Sequence, residues 1–320
     1  MRANLIISLD CEGKWGLSNQ PKIIAQFTNN NLIRTYEKIN NLFSSLKIPV
    51  TYAFVGALIL KKQERKNFEC FENFDKCYSL PLQNFFRADN KCQSEGWFLP
   101  EIYDLVNNNI NEMASHSFSH LLFSHKTSKS KIENELINCQ IVSNLKKKKF
   151  KTFVFPYNKI SNLDLIKKFG FIGYRYHQDY RKDLYSKIKN LYSEWNIWAK
   201  YEMNCNNFNQ DMVQIPGGAF LNWRFKWRKY LIHPEITVCK WKNLLKQCVR
   251  SKKTLNLWFH PHNILSAPST FDVLKKIILE AYKMREKGKL NIITQKRYVE
   301  KVMMESRKNF NKKCIQKNAD

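Results

Sequence analysis

Glycine and proline are scarce in this sequence of 320 residues, which contains nine of each. It has no Ser/Gly-rich linker and no internal repeat, and both absences argue against separate domains or a repeat protein. A chain of this length that is 43% hydrophobic can bury one large core. We therefore expect a single domain over residues 1–303, followed by a basic, frayed C-terminal tail over residues 304–320.

Paired cysteines and long apolar segments are missing as well. Nine cysteines occur without any C-x-x-C pair, a pattern that favours free thiols over a disulfide framework or a cysteine-based zinc site. The first apolar run, Leu5-Ile6-Ile7, is too short for a signal peptide or a membrane span. These features predict a cytoplasmic protein.

Acidic residues are few beside the basic ones, because 27 Asp and Glu stand against 54 Lys and Arg, for a net charge of +27. Such a surplus favours anionic partners: nucleic acid, an anionic membrane or a phosphorylated substrate. The densest cluster comprises Arg224, Lys226, Arg228 and Lys229. It would suit the phosphates of a lipid-linked or nucleotide-linked sugar, or the membrane surface. A general lysine bias without any partner explains the charge equally well.

Strand-like and helix-like segments alternate along most of the chain. Strands are predicted at residues 5–9, 49–55, 110–114, 150–155, 171–174, 212–215, 254–259 and 290–293, from short apolar or β-branched runs. Helices are predicted at residues 28–46, 98–109, 128–147, 161–169, 241–249 and 271–285, from apolar residues at helical spacing. Residues 61–97 and 176–238 are irregular. The alternation predicts parallel strands joined by helical crossovers.

Polar motifs follow the carboxyl ends of four predicted strands. They are Asp10-Cys11-Glu12, His116 with His120, Pro156-Tyr157-Asn158, and His260-Pro261-His262-Asn263. In a parallel barrel these ends form one rim, where active sites are built. Two imidazoles four residues apart can face one metal ion, and a catalytic zinc takes a third protein ligand and leaves a position open. The acidic pair after the first strand is the obvious source of that third ligand.

The motif order D-x-E, H-S-x-S-H, F-P-Y-N, W-F-H-P-H-N resembles the polysaccharide deacetylase family, also called the NodB-homology or carbohydrate esterase 4 group. The resemblance extends over roughly residues 3–300, and Ser8 to Gly16 and Leu257 to Pro261 are similar to one branch of the family. It implies an α/β fold, a distorted (β/α) barrel of seven or eight mainly parallel strands. It also implies a hydrolase that removes acetyl from an N-acetylated sugar with one divalent metal, for which zinc is the first candidate.

The resemblance implies roles for individual residues. Asp10 matches the general base and His260 the general acid, while the backbone N–H of Tyr157 matches the group that holds the oxyanion. The metal ligands would be Glu12, His116 and His120. Candidate substrate-binding residues beside these motifs are Trp15, Pro156, Asn158 and Asn263, although Trp15, like Trp223 and Trp258, also fits packing in the core or at the rim.

The sequence departs from the family pattern at three points. Cys11 separates two acids that are usually adjacent, which leaves the roles of base and ligand open between Asp10 and Glu12. Val154 stands where the family usually has arginine, and Asp211 is our candidate for the aspartate that orients the late histidine. The remaining histidines have no motif support and are interpreted as structural or surface residues: His125, His177, His233 and His262.

Three functions are compatible with these features. The first is a metal-dependent hydrolase for an N-acyl sugar in the biosynthesis of a surface polysaccharide or glycoconjugate. The second keeps the fold but hydrolyses a C–N bond in a small linear or cyclic amide. The third is a basic, non-enzymatic protein that binds nucleic acid or anionic lipid, and its binding would weaken steeply with salt.

Overall fold

The structure, a computed structural model, describes residues 2–20, 24–176, 195–198, 208–209, 211–221 and 228–317. The strands are β1 (Ala3–Cys11), β2 (Thr51–Phe54), β3 (Glu112–Ser115), β4 (Thr152–Phe153), β5 (Gly173–Arg175), β6 (Phe208–Asn209), β7 (Met212–Ile215), β8 (Ala219–Phe220), β9 (Thr254–Phe259) and β10 (Leu290–Ile293). The helices are α1 (Asn29–Ser45), α2 (Leu80–Asp89), α3 (Pro100–Val106), α4 (Lys129–Leu145), α5 (Leu163–Lys168), α6 (Arg228–Leu231), α7 (Pro234–Ser251), α8 (Pro261–Ser266), α9 (Ser269–Glu286) and α10 (Gln295–Lys317).

The strands form one curved sheet in the order β6-β7-β5-β4-β3-β2-β1-β9-β8. The eight strands from β7 to β8 run parallel, and β6 pairs antiparallel to β7 at one edge. The predicted distorted (β/α) barrel is therefore confirmed. Because the strands are parallel, the loops that follow their carboxyl ends share one face of the sheet.

Strand β1 is the centre of this sheet, and all nine of its residues are buried. It pairs with β9 along one side, while its other side is divided between two strands. Residues Ala3–Ile6 pair with β10, and Ser8–Cys11 pair with β2. Neighbours on both sides explain why the segment is almost continuously apolar until its final acidic residues.

Side chains of β1 alternate between two environments, as a strand requires. Leu5, Ile7 and Leu9 join the large core beneath the helices. On the opposite face Ile6 belongs to a smaller cluster with residues of β7 and α10, and Ser8 shares a hydrogen bond of 3.2 Å with Asn256 of β9. The polar face continues along the strand to the acidic residues at its end.

Most predicted elements are present, with shifted ends. Helix α1 has the predicted cap, because the Thr28 hydroxyl accepts a hydrogen bond from the Asn31 amide. The strand predicted at 150–155 is reduced to Thr152–Phe153, although the Val154 N–H still donates to the carbonyl of Ser115 at 2.8 Å. Helices α2 and α8 fall where none was predicted.

Helix α10 runs to Lys317 and includes residues 304–317 of the predicted basic tail. Its first turns are anchored by the buried Tyr298, Val299 and Val302. Hydrophobic contacts of this kind stabilise a helix whose sequence is rich in charge. Among the described residues, no helix combines the length and hydrophobicity that crossing a membrane would need.

Some sequence predictions concern residues outside the described ranges. His177, Trp223, Arg224 and Lys226 lie there, while Arg228 and Lys229 form the start of the backbone of α6. The cationic cluster thus stays a prediction.

Two of the histidines without motif support lie at the surface. His125 is exposed, and His233 caps α7 by accepting a hydrogen bond from the Glu235 amide. Both fit the interpretation as surface or structural residues.

Gly218 offers a test of how closely the loop before β8 approaches β9. Its φ is +61°, and an added Cβ would lie 1.9 Å from the carbonyl oxygen of Asn256. Gly170 also has a positive φ, +83°, but an added Cβ there would meet nothing within 4 Å. Gly170→Ala should lower the free energy of unfolding by about 1–2 kcal/mol, the cost of the left-handed conformation. Gly218→Ala should lower it clearly further, and equal losses in urea unfolding would contradict this packing.

Candidate active site

The predicted site residues converge at the carboxyl ends of the strands. Asp10 lies at the carboxyl end of β1 and Glu12 directly follows it, His116 and His120 follow β3, and His260 follows β9. All five line one cavity of about 340 Å³, together with Tyr157 and Asn158 from the turn after β4. Cys11, between the two acids, points into the core and is fully buried. Strand alternation therefore places both acidic side chains on the same side.

The Glu12 carboxylate forms the centre of the site. Its Oε1 atom lies 3.0 Å from His116 Nε2, 3.1 Å from His120 Nε2 and 3.3 Å from His260 Nε2. Glu12 is only 5% exposed. Burial by itself would raise the pKa of this carboxyl, but the surrounding histidines outweigh burial and hold its pKa well below the usual range. The carboxylate is thus anionic and faces three ring nitrogens.

The protonation of His116 shows that a cation fits this position. Its Nδ1 lies 2.7 Å from the carbonyl oxygen of Val154, and because a carbonyl only accepts, Nδ1 carries the proton. In the neutral ring Nε2 then presents a lone pair to the carboxylate oxygen of Glu12, and two acceptors face each other. Either a proton on Nε2 or a bound metal ion resolves this conflict, and a backbone carbonyl on the far nitrogen is the usual support of a metal-binding histidine.

Two overlapping groups of described side chains could hold such an ion. One is Glu12 with His116 and His120, and the other is Asp10 with Glu12 and His260. The first group fits better, because Glu12 Oε1 lies 3.0 Å from His116 Nε2 and 3.1 Å from His120 Nε2. In the second group the oxygens of Asp10 are already engaged by a guanidinium.

That guanidinium belongs to Arg175 at the end of β5, which was not predicted from the sequence. Its two terminal nitrogens donate to Asp10 Oδ1 at 2.6 Å and Oδ2 at 2.7 Å, and one of them also donates to Asn158 Oδ1 at 2.9 Å. The Trp258 ring lies 4.4 Å from the guanidinium carbon. Burial would raise the pKa of Asp10, but Arg175, together with His116 and His260, outweighs burial and lowers it.

Arg175 provides the positive charge that the sequence lacks at Val154. Val154 is fully buried in a small apolar cluster with Ala53 and Ala114. One signal in the sequence indicates that such a partner exists. Val154 cannot supply a positive charge, and a buried aspartate requires a cation from some other part of the chain.

His260 lies at the edge of the site with 21% of its side chain exposed. Burial would lower its pKa, but the Glu12 carboxylate outweighs burial and raises it. The Nδ2 atom of Asn263 lies 3.4 Å from His260 Nδ1, and Asn263 Oδ1 has no hydrogen-bond partner among the described residues. With the amide turned so that Oδ1 accepts from Nδ1, Asn263 orients the ring.

The candidate orienting residue Asp211 is corrected by these contacts. It is exposed and bound to Lys167 at 2.7 Å. His262, interpreted from sequence as structural or surface, lines the cavity and stacks on His260 with ring centroids 4.9 Å apart. Burial lowers the pKa of His262 to about 3, so this ring is neutral.

The candidate substrate-binding residues divide into two groups. Asn158 and Asn263 line the cavity. Trp15 does not, because it is fully buried among aromatic rings and donates to the carbonyl of Trp97 at 2.6 Å. The assignment of Trp15 to substrate binding is therefore wrong, and its role is packing. Pro156 is likewise buried beneath its turn and does not line the cavity.

Tyr157 is the exposed part of the turn after β4. Its side chain is 48% exposed, and its ring meets the edge of His120 with centroids 4.7 Å apart. Both Tyr157 and Asn158 have positive φ, +57° and +54°. Non-glycine residues adopt this conformation only where the surroundings hold it. The turn therefore presents Tyr157 at the mouth of the cavity in a defined orientation.

Removing Arg175 should leave Asp10 buried without a compensating charge. Arg175→Met should lower the free energy of unfolding by about 3–5 kcal/mol, the usual cost of breaking a buried ion pair. Asp10→Asn in the same chain should recover most of this loss, because no buried charge remains. Chemical unfolding of both single variants and the double variant measures the coupling, and simple additivity of the two losses would contradict the pairing.

Gly16 should be essential for the position of Glu12. An added Cβ would lie 1.9 Å from Glu12 Oε2, although Gly16 itself has no positive φ. Gly16→Ala should therefore fold but displace the carboxylate, and zinc titration by calorimetry should show at least about tenfold weaker binding. Gly170→Ala, far from any contact, is the control. Wild-type zinc affinity in Gly16→Ala would contradict the proposed metal position.

No family model and no curated protein matches the sequence. Solved structures do match it over nearly its whole length, at low sequence identity. A protein of Pseudomonas aeruginosa PAO1 named as a polysaccharide deacetylase has a TM-score of 0.57 at 12% identity, covering 93% of this chain and 89% of its own. One from Mycobacterium smegmatis with the same name has a TM-score of 0.55 at 10% identity, covering 96% and 92%.

The PuuE allantoinase matches equally well, with a TM-score of 0.55 at 12% identity, covering 93% of this chain and 89% of its own. Proteins with different names thus share this architecture, and the similarity at this identity concerns the fold. The chain has the polysaccharide deacetylase, or NodB-homology, fold.

Proposed function

We propose that this protein is a metal-dependent hydrolase that removes an N-acetyl or similar N-acyl group from a sugar. The observation that supports this most strongly is the convergence of five side chains in one cavity: Glu12 against His116 and His120, with Asp10 and His260 beside them. A ligand set, a candidate base and a candidate acid are what amide hydrolysis requires.

Glu12, His116 and His120 would hold the metal, for which zinc is the first candidate because two imidazoles and a carboxylate suit it. A divalent cation bound there would supply polarisation of the amide carbonyl and a more acidic water. The ligand role of Glu12 is favoured over that of Asp10 by its contacts with both histidines. Asp10 would first have to release Arg175.

Asp10 would act as the general base. Arg175 keeps its carboxylate ionised, and each carboxylate oxygen that accepts from the guanidinium retains a second lone pair. The carboxylate can therefore take a proton from a water molecule beside it. A base of low pKa is a weak one, so its contribution depends on its position next to that water.

His260 would act as the general acid. Its raised pKa favours the protonated ring, which can deliver the Nε2 proton to the departing nitrogen. Asn263 would hold the ring in place through Nδ1. The backbone N–H of Tyr157 is our candidate for the donor to the developing oxyanion, an interaction worth about 3 kcal/mol in comparable sites.

The rest of the cavity suits the ring of a sugar. Phe220 and Trp258 form an aromatic wall with ring centroids 4.6 Å apart, and both line the cavity. Tyr157 at the mouth is a further ring that could stack on apolar sugar faces. The amides of Asn19 and Gln20, at the exposed rim, could bond hydroxyl groups. We propose a neutral N-acyl sugar as the group that enters.

The second candidate function is hydrolysis of a small linear or cyclic amide. It is favoured by the equal structural similarity to an allantoinase. A basic protein that binds nucleic acid or anionic lipid is a third possibility, and nothing in the described site supports it. A lipid-linked or nucleotide-linked sugar, membrane contact and a role in surface polysaccharide biosynthesis stay predictions. So does a cytoplasmic location, which the seven described free thiols fit.

Metal analysis and an activity screen with the purified protein test this proposal. The wild type should bind one divalent ion and hydrolyse a member of a panel of N-acetylated sugars. Asp10→Asn should keep the metal and lose at least about 100-fold in kcat, because the amide fills the same space but cannot take the proton.

Three outcomes would change or contradict the assignment. Metal lost in Asp10→Asn and kept in Glu12→Gln would show that the two acids have the opposite roles. Hydrolysis of cyclic amides, with none of the sugars cleaved, would favour the second function. Full metal occupancy in a His116→Ala, His120→Ala double variant would contradict the ligand set.

A further inference from the structure

The loop that carries the two histidines has an unusual backbone. It comprises residues 116–121, between β3 and α4, and contains no glycine. Ser117 has φ +63° and His120 has φ +60°. Each such residue costs of order 1–3 kcal/mol unless its surroundings enforce the conformation. The neighbouring structure must therefore hold this loop.

The loop carbonyls are held from the strand side. The backbone N–H of Gly56 donates to the carbonyl of Ser117, and that of Ala57 donates to Phe118, both at 2.9 Å. These bonds extend the pairing of β2 with β3 into the loop. They leave the N–H groups on the opposite side of the loop to be satisfied elsewhere.

Those N–H groups converge on one side chain, Glu135 of α4. Its Oε1 accepts from the amides of Ser119 at 2.7 Å, Phe118 at 2.9 Å and Leu121 at 3.3 Å. Its Oε2 accepts from the Ser119 hydroxyl and the Tyr78 hydroxyl, each at 2.8 Å. Glu135 is fully buried. One carboxylate thus receives five hydrogen bonds, four of them from the loop.

A buried carboxylate is costly unless its oxygens are satisfied, and hydrogen bonds to a charged acceptor are about twice as strong as neutral ones. The four loop bonds all depend on a single position of the carboxylate. They also bracket His120 in sequence, because Ser119 precedes it and Leu121 follows it. Any change in this carboxylate is therefore transmitted to the His120 ring.

We propose that Glu135 is a positioning residue of the metal centre. It does not touch the metal position; it holds the loop so that His116 and His120 both present Nε2 to Glu12. The inference rests on the proposed function for the identity of the site, but it concerns the apo geometry and can be measured without substrate.

The test compares zinc affinity and amide exchange in Glu135→Gln and the wild type. Glutamine carries no negative charge, so the three backbone N–H bonds lose their charge assistance, and its NH₂ group would force the hydroxyls of Ser119 and Tyr78 to accept instead of donate. Zinc affinity should fall about 10–100-fold, the usual effect of losing a group that supports a ligand. In the metal-free protein, the amides of Phe118, Ser119 and Leu121 should exchange with deuterium faster than in the wild type.

Tyr78→Phe is the matched control, because it removes one bond to the same carboxylate but leaves all four loop bonds. Its zinc affinity and loop exchange should remain those of the wild type. A general loss of stability would lower the melting temperature of both variants without changing the zinc affinity of the folded protein. A combined change in zinc affinity and loop exchange, confined to Glu135→Gln, is the signature of positioning.

Glu135→Asp provides a second variant in case Glu135→Gln does not fold. It keeps the charge, but its arm is one methylene shorter and cannot reach all four loop donors, so affinity and exchange should change in the same direction. Wild-type zinc affinity with protected loop amides in either folded variant would overturn the proposal. A wild type that binds no metal would instead overturn the proposed function.

Discussion

Burial of two carboxylates at the end of one strand is the constraint on which this site depends. Asp10 and Glu12 are 2% and 5% exposed, and an isolated charge at such depth is strongly unfavourable. The rest of the rim is arranged to compensate them. Arg175 arrives from β5, and the imidazoles arrive from the loops after β3 and β9. The parallel barrel makes this possible, since it brings the ends of distant strands to one face.

The negative charges of the two acids are compensated by different groups, and this difference gives the two carboxylates different chemical properties. Asp10 faces a guanidinium, which is permanently charged and grips both carboxylate oxygens. Glu12 faces ring nitrogens that can bind a proton or a metal ion but have no fixed charge. A cation can therefore come and go beside Glu12, while Asp10 stays ionised. This asymmetry supports a ligand and a base that are two residues apart.

Four of the ten described non-glycine residues with positive φ lie around the same cavity. Ser117 and His120 in the histidine loop, and Tyr157 and Asn158 after β4, all have positive φ without being glycine. The sequence has only nine glycines, and at these four positions it has other residues although glycine adopts a positive φ at lower cost. Those residues are candidate site residues or their neighbours, and the constrained backbone gives their side chains a defined orientation. Buried hydrogen bonds, such as those to Glu135, stabilise the strained segments.

The sequence alone determined the features that depend on near neighbours. The apolar run of β1, the Thr28 cap of α1 and the His116–His120 spacing are local patterns, and strand alternation with helices then predicts a shared rim. Motif order was enough to predict the fold. Trp15 shows the limit, because one aromatic residue in a motif can face either the core or the cavity.

Only the tertiary structure decided which residues complete the site. Arg175 binds Asp10 although the two residues are 165 positions apart in the sequence, and Glu135 of α4 binds the loop of residues 116–121. Asn263 is near His260 in sequence, but its orienting role follows from the turn into α8. Charge compensation requires a partner somewhere within hydrogen-bond distance, yet it does not specify the strand that provides it. That choice is made by the packing of the whole barrel.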